Sequence, residues 1–126
     1  MIPKFRALIK ETEHIVDVET IHFELGVVKV NGIELYQFED VILMQSTGLH
    51  DEQGVEIFEG DIVNINHTFR NPMTGCGTLT LNKNFEVVYI NGMFTRDGSS
   101  MGLSRDLIYL TVIGNVHENP ELLEDV

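Results

Sequence analysis

The chain has 126 residues, 43% of them hydrophobic, which suits one packed domain. Its 8 basic residues stand against 20 acidic ones, a net charge of −12; this disfavours binding to nucleic acid, where affinity comes mainly from Lys and Arg neutralising phosphates. A single cysteine, Cys76, excludes an internal disulfide and a cysteine metal cluster and suits a reducing cytoplasm, while the absence of an apolar run near ~18 residues or a signal-type leader argues against membrane insertion and export.

In chain order, Ile2–Ile9 mixes apolar and charged residues as an edge or half-buried strand does. Lys10–Glu13 is a charged turn. His14–Phe23 reads as a strand with a break near Asp17–Glu19, and Phe23–Val30 continues in β-branched residues across Gly26. Asn31-Gly32 joins this run to Ile33–Tyr36 as a type I′ hairpin.

Val41–Gln45 is a short apolar run of buried-strand type. Thr47-Gly48 and Asp51–Gly54 are turn-rich, with Leu49 tucked beneath them. Val55 and Ile57 begin a short strand, Glu59-Gly60-Asp61 turns it, and Ile62 to His67 is the return strand. Gly60 stands where the turn needs a positive φ.

Arg70–Gly75 is a loop, and Phe69, next to Arg70 in this polar loop, makes the pair a candidate exposed contact for a partner or another subunit. Gly77–Leu81 reads as a strand, Asn82–Asn84 as a turn, and Phe85–Ile90 as the next strand. Asn91-Gly92 turns into Met93–Thr95, and Arg96–Ser100 is an exposed loop. Ser104–Asp106 hints at a helical turn, and Leu107–Ile113 is the last strong β run. Asn119 as N-cap and Pro120 at the first helical position start a short helical tail. Short strands with turns every eight to twelve residues, and no sustained helical period, predict an all-β barrel or sandwich.

Chemistry-bearing patterns are weak. His14, His22, His50, His67 and His117 show no ligand spacing. Cys76 carries no signature of a neighbouring base. Asp51, Glu52, Glu56, Glu59 and Asp61 cluster around the central turns, and fit turn chemistry better than a Mg²⁺ or acid–base site. Glu118, Glu121, Glu124 and Asp125 read as a solvated tail. Most aromatic residues sit in apolar strands, with no basic groove beside them of the kind that binds single strands. No phosphate-binding glycine loop is present.

Three motifs carry a resemblance. They are the opening Ile2-Pro3-Lys4-Phe5-Arg6-Ala7, the central Met44–Asp51 with Gly54–Val63, and the closing Val112–Leu123. In this order they resemble the YopX family of bacteriophage and prophage proteins. Leu8, where the family usually has an aromatic, and His117, where it often has Tyr, depart from the pattern. The resemblance implies a mainly β fold containing an SH3-like barrel, an oligomeric assembly, and no catalytic residues to transfer. Gly48, Leu49, Asp51, Gly54, Gly60, Asp61, Gly114, Asn115, Asn119 and Pro120 are then fold-defining residues.

The expectation is a single mainly β domain over residues 1–126. It has an N-terminal β-hairpin region (1–40), an SH3-like small barrel (41–118) and a short helical tail (119–126). The expected role is that of a phage or prophage accessory protein in the host cytoplasm. It acts by protein binding, as a homo-oligomer or on a host or phage protein, with no cofactor. Two alternatives stand beside it: an acidic decoy that mimics DNA charge, and a metal-dependent enzyme.

Overall fold

Alternating β-branched and aromatic residues build ten strands among the described residues. The structure, a computed structural model, describes residues 4–70, 73, 75–99 and 101–124. The strands are β1 (Phe5–Ile9), β2 (His14–His22), β3 (Val27–Val30), β4 (Glu34–Gln37), β5 (Val41–His50), β6 (Glu56–Phe58), β7 (Asp61–Arg70), β8 (Thr78–Ile90), β9 (Met93–Arg96) and β10 (Leu110–Asn115). They form a six-stranded sheet in the order β4-β3-β2-β1-β5-β6 and a four-stranded sheet in the order β10-β7-β8-β9, all pairings antiparallel. The fold is therefore mainly β.

The expected barrel over 41–118 is not closed. β5 pairs with β1 along Val41–Gln45, so it belongs to a sheet with the N-terminal strands rather than to a barrel with β7 to β10. The N-terminal region is for the same reason no appended hairpin. β1 is not an edge strand but lies between β2 and β5, with Ala7, Leu8 and Ile9 buried.

Each sheet holds its own apolar cluster. Ala7, Ile9, Val28, Val30 and Val41 pack under the six-stranded sheet. Ile57, Val63, Ile65, Val87, Leu103 and Leu110 pack under the four-stranded one. Each fully buried aliphatic side chain contributes roughly 1.5–3 kcal/mol. Ile57 comes from β6, so the central hairpin of one sheet reaches into the core of the other.

Several local expectations change. β2 runs unbroken, and the predicted break is a register shift between Val18 and Thr20, a bulge at Glu19. Phe23–Gly26 is a turn closed by the Gly26 N–H on the His22 carbonyl, 2.9 Å, and separates β2 from β3. Asn31 and Gly32 both have positive φ, as a type I′ turn requires, and the loop spans residues 31–33. Asn82–Asn84 is not a turn. It lies inside the 13-residue β8, where the Asn64 side-chain amide donates to the Oδ1 atoms of Asn82 and Asn84 at 3.0 and 2.9 Å.

Thr47-Gly48 is not a loop either, but an irregular part of β5. Four steps on β5, from Ser46 to His50, face two on β6, from Phe58 to Glu56. The Ser46 and Thr47 hydroxyls accept the Gly48 and Leu49 N–H groups, both at 3.1 Å, and so hold the bulge. Leu107–Tyr109 forms a 3-10 turn, and the last strand begins only at Leu110. Leu103–Arg105 is a 3-10 turn where a helical hint stood. The helical tail expected over 119–126 amounts to one 3-10 turn, Pro120–Leu123; residues 125 and 126 lie outside the described residues.

Candidate functional site

The seam between the sheets begins at the Glu59-Gly60 turn. Gly60 has φ +87°, open to glycine without penalty. Its N–H donates to Val87 of β8, and its carbonyl accepts from Val116, both at 2.9 Å. Asp61 follows, almost fully buried. Its Oδ2 accepts the Phe58 N–H at 2.8 Å, and its Oδ1 pairs with the Arg6 guanidinium from β1. The guanidinium also lies 4.5 Å from the Phe58 ring centre. Burial raises the Asp61 carboxyl above its ordinary range, against the Phe58 N–H and the Arg6 charge, which lower it.

Asp51 is the second buried carboxylate. Its Oδ1 accepts the Gln53 and Val55 N–H groups, both at 2.9 Å, and its Oδ2 accepts that of Val112 on β10 at 2.8 Å. Burial alone would raise its pKa; these three donors outweigh it and hold the carboxyl below 3.8. Gly54 takes φ +83° in the same turn. Leu49 packs against the core of the four-stranded sheet, and Gly48 is exposed.

At the closing motif, Asn115 Oδ1 accepts the His117 and Glu118 N–H groups at 3.0 and 2.9 Å. Asn119 makes no side-chain cap on the 3-10 turn. Its Oδ1 instead faces the Asn115 N–H at 3.3 Å, across the Cα of Gly114. Pro120 opens the turn. These motif residues meet in two places: Asp51 reaches β10, and Gly60 hydrogen-bonds to Val116 beyond β10.

Phe69 and Arg70 are not in a loop. Both lie on β7, and the Phe69 ring packs edge-on against His67 (4.5 Å) and Tyr109 (5.3 Å). Phe69 is half-buried and Arg70 exposed. Cys76 is exposed. Among the described residues no three His, Cys, Asp or Glu side chains gather as metal ligands. No helix there is long and apolar enough to cross a membrane.

A groove of about 330 Å³ lies between the two sheets. One wall is Ile42–Met44 of β5, the other Glu86–Tyr89 of β8, and Glu59, Gly60, Val116 and His117 complete the lining. Burial raises the Glu86 carboxyl; Asp97 and Glu59 push the same way, and His117 opposes them. Sequence reasoning placed Glu59 in an acidic cluster and passed over Glu86. Only the approach of β5 to β8 makes a site of them, and no spacing in the chain signals it.

The molecule is thus a mainly β protein of two antiparallel sheets with an acidic groove at their seam. The YopX protein family matches residues 4–124, and the chain belongs to that family. It is similar to the crystal structure of protein EF1440 from Enterococcus faecalis, with 29% sequence identity over 98% of this chain and 99% of that one, and a TM-score of 0.69. No curated protein matches it.

Proposed function

We propose that this protein acts by binding other protein chains and assembles with copies of itself through the outer end of the six-stranded sheet. One observation carries the reading: Phe23, Leu25, Ile33 and Leu35 are 78, 75, 88 and 60% exposed at or beside the edge strand β4. An open edge with apolar side chains is a template for another strand.

A second copy fits this edge. Antiparallel pairing of β4 with itself, centred on Leu35, sets Glu34 opposite Tyr36, so no like charges face one another. Within the chain the Tyr36 hydroxyl already donates to Glu34 at 2.8 Å. Such a two-fold contact is self-complementary and closes.

The YopX resemblance supports the wider role of a phage or prophage accessory protein inside the host cell. We read residues 41–118 as an SH3-like small barrel left open between β5 and β8. Light scattering at low and high salt tests the assembly reading. A molar mass of two or more chains at both salts is expected; a monomer at all concentrations overturns it.

The net charge of −12 favours a second reading, an acidic decoy for a DNA-binding protein. It predicts that double-stranded DNA competes with this protein for that partner.

A further inference from the structure

Two unpaired strand edges flank the groove. β5 pairs with β1 from Val41 to Gln45, but β6 joins its other side only at Ser46. The last bond before the turn is from the Glu59 N–H to the Gln45 carbonyl, 2.9 Å. Among the described residues, no strand pairs with that side of β5 over 41–44.

β8 mirrors this. β9 pairs with it from Val87 to Ile90, but on the other side β7 stops at Ile62↔Glu86. The Gly60 N–H then bonds to the Val87 carbonyl, and no described strand continues over 88–90. The Glu59-Gly60 turn leads the chain from β6 into β7 and so ends both ladders at one point. Beyond it, backbone donors and acceptors of two strands border a slot with apolar walls. Such groups are paired almost everywhere in folded proteins, by strand, side chain or water.

The slot is also charged. Glu59 and Glu86 line it, and the partly buried Glu86 carboxylate is disfavoured first by burial and then by repulsion from Asp97 and Glu59. An incoming cation relieves that repulsion.

We propose that the groove between β5 and β8 binds an extended segment of another protein, carrying lysine or arginine among apolar residues, that adds as a strand to these edges. Backbone bonds would supply affinity, and the two glutamates would select the basic side chain. The inference rests on the protein-binding reading above and names a site distinct from the β4 edge. The chain's own net charge of −12 makes a second copy the poorer occupant.

The test uses the full chain and a fluorescein-labelled eight-residue peptide of alternating valine and lysine, at about 0.15 M salt to screen diffuse attraction. Controls are the same peptide with glutamate for lysine, and one N-methylated at alternate residues to remove backbone donors. Saturable binding of the lysine peptide is expected by fluorescence anisotropy. The glutamate peptide should not bind. The N-methylated peptide, and the Glu59→Gln/Glu86→Gln double variant with the lysine peptide, should each bind at least about tenfold more weakly. Amide hydrogens within 42–44 and 88–90 should gain exchange protection on binding.

No saturable binding overturns the proposal, as does equal binding by the N-methylated peptide or by the double variant. Displacement of the peptide by raised protein concentration overturns it in favour of a second copy. Molar mass measured on the same samples separates the two readings. A self-associating protein that ignores the peptide loses only the groove, and a monomer that binds it loses only the assembly.

Discussion

Arg6 of the six-stranded sheet pairs through its guanidinium with Asp61, the first residue of the four-stranded sheet's β7. The carboxylate is buried and the guanidinium nearly so, and Arg6 Nε has no hydrogen-bond partner among the described residues. The two charges hold the sheets together at the point where β6 gives way to β7. Removing one of them strands the other in a low-dielectric seam, which costs more than the pair contributes net.

The first prediction follows from that asymmetry. Asp61→Ala or Arg6→Ala should each destabilise the fold by about 3 kcal/mol. The double variant should cost clearly less than the sum, a coupling that chemical denaturation of the four proteins would measure. Arg6→Lys should recover only part of the loss, because an ammonium cannot reproduce a planar group lying over the Phe58 ring. Full additivity would refute the coupling.

A second prediction concerns Gly114. A Cβ there would lie 2.5 Å from Asn119 Oδ1 and 2.9 Å from its Cγ. Gly114→Ala therefore displaces the Asn119 side chain, and should cost about 1–3 kcal/mol. Adding Asn119→Ala should restore part of it, because Oδ1 and Cγ go while the Asn119 Cβ, 3.1 Å from the new methyl, stays. Thermal unfolding of the single and double variants decides this; an Ala at 114 without cost would show that Asn119 moves freely.

A third prediction is pH-dependent. The Asp51 carboxyl is held below its ordinary value of 3.8, so it favours the folded state above that value, and the contribution fades as pH falls through the folded pKa. Asp51→Asn should cost about 2 kcal/mol at pH 7, and the gap to the parent should narrow below about pH 4. Asp61 has the opposite sign: its raised pKa favours folding below the unfolded value and disfavours it as pH rises. Being present in both proteins, Asp61 cancels in the difference, which urea titrations across that range would follow.

A fourth prediction addresses assembly. Leu35→Lys places a charge on the β4 edge, where natural sheets use lysine to block pairing. Leu35 is exposed, so the fold should keep its stability to within about 0.5 kcal/mol. The molar mass should drop toward that of one chain. Unchanged assembly would place the contact elsewhere.

Much of the local structure was legible in the chain. The Asn31-Gly32 and Asn91-Gly92 turns both adopt the positive φ pairs that those residues favour. The Asp51–Gly54 turn and the Gly60 turn also stand where the residues demand them. The misread segments share a cause. Asn82–Asn84 has the composition of a turn, yet it stays extended because Asn64 on the neighbouring strand binds two of its side chains. Thr47-Gly48 stays in β5 because Ser46 and Thr47 satisfy the bulged backbone. In both places a long-range or side-chain partner overrides local propensity.

By itself the sequence determined the β class, the hairpin turns and the family, because turn residues and two-residue alternation act within a few bonds of one another. Which sheet β1 joins, the Arg6–Asp61 tie, and the groove where Glu59 meets Glu86 were decided by the tertiary structure alone. They depend on strands far apart in sequence being brought side by side. Backbone pairing is nearly indifferent to residue identity, so only the packing of two cores selects one arrangement among many.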